Sequence, residues 1–104
     1  MLKDNEKITL SGERLIEALS TIEFFLISIK NITRHYYDNK YPKVDRLGYE
    51  KELTRFIDDK QLVKELSRLR TILSEKFNDK LGEDDMDDIE REMEKIKYWE
   101  KPGD

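Results

Sequence analysis

The chain has 104 residues, 42% of them charged, and a net charge of −4, a polar make-up that raises disorder as the first alternative. Its 28 Leu, Ile, Val and Phe residues exceed the roughly 20% share below which chains stay unfolded, and they recur at regular spacing, so a folded protein with a thin core is expected. The absence of cysteine excludes disulfides, thiolate metal sites and thiol nucleophiles, and it fits a cytoplasmic protein.

The opening residues "MLKDNEKITL" hold no apolar run of the signal-peptide kind. The longest apolar stretch, "IEFFLISI", carries Glu23 and falls short of the ~20 residues a membrane span needs, so no membrane association is expected. Helical spacing dominates from Ser11 onward. Ser11 is a candidate N-cap, and Glu13 suits the positive end of a helix dipole. Leu15, Leu19, Ile22, Leu26, Ile29 and Tyr36 form one stripe, widened by Ala18, Phe25 and Ile32, which predicts a helix to about Tyr37. A helix apolar around so much of its circumference is expected at the centre of a bundle. Phe24 sits among Glu17, Ser20, Ser28 and Asn31, either covered by a neighbour or left for a partner.

Pro42 and Gly48 punctuate the chain, and a short helix is predicted over about Tyr49–Ile57. Asp58 and Gln61 have capping-box spacing before a longer helix carrying Leu62, Leu66, Leu69, Leu73 and Phe77, with Gly82 in a C-cap position. A last helix is predicted with Met86, Ile89, Met93 and Ile96 inward, ending near Trp99 as a staple to the bundle. The expected fold is all-α: one domain over residues 1–104, an antiparallel helical bundle of three longer helices plus one short helix.

Two stretches stand out. "LGEDDMDDIEREMEK", residues 81–95, places Glu83, Asp84, Asp85, Asp87 and Asp88 in six positions, and residues 83–104 hold ten acids against four bases. It lacks the internal Gly and alternate ligand positions of a calcium loop. Acids in a first turn complement the helix dipole, but Glu90, Glu92 and Glu94 continue past it, which leaves ordinary solvated surface and a docking face for a basic partner as alternatives. In "KNITRHYYDNKYPKVDR", residues 30–46, basic residues interleave with Tyr36, Tyr37 and Tyr41. Aromatics amid positive charge suit single-stranded nucleic acid, yet Asp38, Asp45 and the acidic chain oppose that. Arg34 and the tyrosines also suit a protein interface, or simply close the end of the bundle.

Reaction-specific motifs are missing. The one histidine, His35, is preceded three residues earlier by Ile32 rather than the Glu of a di-iron bundle, and no Arg lies at helical-RNase spacing before it. Gly12, Gly48, Gly82 and Gly103 are too scattered for a phosphate loop. No cofactor, no metal and no enzymatic activity are therefore expected.

In size, all-helical pattern, missing cysteines and the acidic segment "GEDDMDDIEREMEK", the chain resembles the immunity proteins of bacterial toxin systems, including those of contact-dependent growth inhibition. The resemblance implies a stoichiometric inhibitor that blocks the basic cleft of a nuclease toxin, without touching nucleic acid itself. The expected partner surface is Asp84, Asp85, Asp87, Asp88 and Glu92 for steering, with Arg34, Tyr36, Tyr37 and Tyr41 as anchors. Free, the protein is expected to be a monomer or weak homodimer. The alternative is an adaptor bundle that self-associates through Phe24 or the Met86/Met93 face. Converting Asp84, Asp85, Asp87 and Asp88 to Asn is expected to leave folding nearly unchanged.

Overall fold

The computed structural model describes residues 1–38 and 44–100. Tyr41 lies outside them. Four α-helices and no strand occur among the described residues: α1 Gly12–Thr33, α2 Arg46–Asp59, α3 Leu62–Ser74 and α4 Asp88–Met93. The all-α class is as the spacing predicts. Contacts gather the chain into two compact units, Ser11–Leu73 and the pair Met1–Leu10 with Ser74–Asp104, a division the apolar periodicity does not mark.

In the unit Ser11–Leu73, Ser11 caps α1 as expected, its Oγ accepting from the Arg14 N–H at 3.2 Å. The helix buries Ala18 against Leu69 and Ile72 of α3. Phe25 meets Phe56 of α2 edge-on at 5.7 Å, and Phe24 lies 5.9 Å from the same ring while remaining partly exposed. Arg68 of α3 donates to the Glu17 carboxylate and to the Thr21 hydroxyl, which fixes α3 along α1. The helix is not enclosed, however. Leu15, Ile16, Leu19, Ile22, Leu26 and Ile27 all remain exposed, because α2 and α3 contact it on the side of Glu17, Ala18, Thr21 and Phe25. The expectation of a central helix is thereby corrected.

The second predicted helix is longer than its apolar residues indicate. It starts at Arg46, capped by Asp45 Oδ1 accepting from the Gly48 N–H at 2.8 Å. Gly48 is thus a first-turn residue, and a Cβ there would stand 2.7 Å from the Tyr36 ring. The Asp58/Gln61 capping box does not form. Helix α2 runs on through Asp59, and Gln61 adopts φ 52° to turn the chain into α3, its carbonyl accepting from Glu65 N–H. Nor does α3 reach Gly82; it ends at Ser74.

In the other unit, residues Lys3–Asn5 form a 3₁₀ turn and α4 spans six residues. The short helix of the fold is therefore the last one rather than the segment after Pro42. Trp99 lies beyond α4 and is 86% exposed, so it does not staple a helix. No described helix is long and apolar enough to cross a membrane.

Candidate functional site

The acidic stretch folds around one cation of its own. Gly82 N–H donates to the Met86 carbonyl at 2.8 Å and Asp85 N–H to the Gly82 carbonyl at 3.1 Å, closing a tight loop with Asp85 at φ 62°. Inside that loop the Asp84 carboxylate takes Arg91 bidentately, from Nε at 2.7 Å and Nη2 at 2.9 Å. Such paired charge-assisted bonds are the strong kind. Arg91 also donates to the Met86 carbonyl and, through Nη1 at 2.8 Å, to Asp88 Oδ1. Asp87 caps α4: its Oδ1 accepts from Glu90 N–H at 2.8 Å, and Glu90 accepts from Asp87 N–H, a complete capping box.

Asp88 is buried. Its Oδ2 accepts from Leu2 N–H and from Asn5 Nδ2, both at 2.7 Å. The equally buried Asn5 also donates to the Asn78 carbonyl and accepts the Asn78 N–H at 2.8 Å. Residues 2, 5, 78, 84, 88 and 91 thus form one polar network in which each buried group is matched. A guanidinium occupies the place where a metal between Asp84 and Asp88 would have to sit, and no metal-binding cluster occurs among the described residues.

These geometries revise the expected steering surface. Asp84, Asp87 and Asp88 hold the local fold, through an ion pair, a cap and a buried network. Asp85 is exposed with no partner for its carboxylate among the described residues, and Glu92 is exposed and pairs with Lys95 at 3.0 Å. Neutralising all four aspartates would therefore unsettle this unit, contrary to the expectation of near-indifference.

The network also sets an acid limit. Arg91, then the Met86 N–H, hold the Asp84 carboxyl well below the usual range, and Asn5, then Leu2 N–H, lower that of Asp88. A depressed carboxyl stabilises the fold fully above its unfolded value of ~4, and the contribution is lost as pH falls through the folded one. Protection of the Leu2 and Asn5 amides from hydrogen exchange should therefore hold constant from neutrality to about pH 4 and collapse below it. A decline beginning near pH 6 would mean that these carboxylates are not what secures the segment.

The aromatic candidates belong to the other unit and are engaged with their own neighbours. After α1 the backbone widens into a π-turn over Arg34–Asp38. Tyr36 packs edge-on to His35 at 4.7 Å. Tyr37 meets Tyr49 edge-on at 5.0 Å, and its hydroxyl accepts from Arg46 Nη1 at 2.7 Å. Both rings are half-buried, closing the α1–α2 junction, whereas Arg34 stays exposed 3.8 Å from Asp38.

What sequence reasoning missed is the segment after α4. Ile96, Tyr98 and Trp99 are all exposed there, interspersed with Glu94 and Glu100. Pro102 lies too far downstream to mark the end of α4 at Met93, and the apolar period runs on through Ile96 without a break. No protein-family model, curated protein or solved structure matches the chain.

Proposed function

We propose that this protein acts by occupancy, binding another protein through the acidic, aromatic-tipped end of the chain, as a stoichiometric inhibitor of the immunity type. The observation that carries the reading is Trp99, 86% exposed beside Tyr98 at 63%. Trp and Tyr are the residues that most often anchor interfaces, and a solvent-facing pair gains most when a partner removes it from water. In the same unit Glu83, Asp85, Glu90, Glu92 and Glu94 are exposed carboxylates. Such a surface suits a basic partner, and nuclease clefts are basic because they hold phosphate. The carboxylates raise the encounter rate, while Trp99 and Tyr98 hold the complex. The anchoring role expected of Tyr36 and Tyr37 passes to these two residues, since the earlier pair is spent on the α1–α2 junction.

Occupancy makes a quantitative demand. Titrated into its partner nuclease while RNA or DNA cleavage is followed, the protein should suppress activity linearly and saturate at equimolar ratio. Suppression below that ratio, or deepening with time at fixed ratio, would point to turnover and contradict the proposal.

A further inference from the structure

Helix α1 carries a second apolar feature that the acidic end does not use. Leu15, Leu19, Ile22 and Leu26 recur at 4–3–4 spacing, the a/d pattern of a helix that lies along another helix. They are 40–56% exposed, a row of large aliphatics about 16 Å long on the side that α2 and α3 leave uncovered. Beside the row stand Glu23 and Lys30, neither with an ion-pair partner among the described residues.

We propose that this row is a seam for a second copy of the chain, packed antiparallel with the two-fold axis near Leu26. Charge decides the occupant and the direction. In a parallel two-fold pair only the seam residues meet their own copies, and Glu23 and Lys30, which share one flank of the row, would lie across from the opposite flank, Ala18, Phe25 and Ile32, and gain no charged partner. Turned antiparallel about an axis between Leu26 and Ile27, Glu23 falls opposite Lys30 of the second copy, and symmetry repeats the pair. The same alignment puts Leu26 near its own copy. One acid and one base give a face that complements itself, whereas the strongly acidic surface suited to a basic partner lies elsewhere in the chain.

The full chain has no cysteine, which makes the geometry directly testable. Under mild oxidation Leu26→Cys should cross-link to itself. Leu15→Cys should not, because eleven residues along the helix put the two copies of position 15 roughly 33 Å apart. Sedimentation equilibrium should show a dimer that Glu23→Lys weakens by about tenfold, through two like-charge contacts, and that Glu23→Lys with Lys30→Glu restores. Both positions are exposed, and circular dichroism checks that each variant stays helical. A chain still monomeric at roughly 1 mM overturns the proposal, leaving the row to be covered by another part of the chain or by a different protein. So does equal cross-linking at both cysteines, or a dimer blind to the charge reversal.

Discussion

Replacing Asn5 with Ala is expected to lower the melting temperature by roughly 10–20 °C. The side chain is 4% exposed and does three things at once. Its amide donates to Asp88 Oδ2 and the Asn78 carbonyl, and its carbonyl accepts the Asn78 N–H. Alanine leaves a buried N–H and part of a buried carboxylate without partners, at about 2–3 kcal/mol. The loss should fall on residues 1–10 and 74–100 first, visible as exchange of the Leu2 and Asn78 amides before those of α1. By contrast Asp87→Ala removes one cap, at about 1 kcal/mol, and Asp85→Asn should be nearly silent because no side chain among the described residues holds the Asp85 carboxylate and its backbone bond to Gly82 is kept. A melting temperature within a degree or two of the parent after Asn5→Ala would show that the polar network does not hold this unit together.

Trp99→Ala is expected to do the reverse: leave folding alone and weaken partner binding by roughly 30-fold or more, about 2 kcal/mol, mostly through a faster off-rate. An 86% exposed side chain has little packing to lose. Because it is the only tryptophan, its fluorescence reports directly. Emission should sit at the solvent-exposed extreme in the free protein and shift to the blue when the partner covers the ring. Raising salt should slow association of the parent and of Trp99→Ala alike, since the carboxylates that steer are intact in both. Unchanged affinity with unchanged emission would take the C-terminal end out of the interface.

How much of this was legible in the sequence depended on how local the deciding interaction is. The Ser11 cap and the run of α1 were readable because cap, dipole and apolar period all lie within a few residues of one another. The start of α2 was missed because Asp45 caps a helix whose first turn carries Gly48, a residue that ordinarily signals a break. Asp58 and Gln61 had the right spacing for a capping box, but a left-handed Gln61 made the corner instead. The acidic stretch shows the limit most clearly. As a pattern it is surplus charge; in the fold Asp84 and Asp88 converge on Arg91, and Asp88 meets residues 86 and 83 positions away in the chain. No periodicity encodes a hydrogen bond from Leu2 to Asp88. Trp99 was misplaced for a related reason: Met86, Ile89, Met93 and Ile96 continue a helical period that the backbone abandons after Met93.

That exposed end is where the proposed function stands or falls, and native mass spectrometry of the protein drawn from its own cells addresses it most directly. Inhibition by occupancy predicts a constant heteromeric assembly with one other protein in equal copy number, a basic nuclease whose activity is silent in the complex, and loss of that assembly in Trp99→Ala. Recovery of the protein alone, or only with further copies of itself, would contradict it.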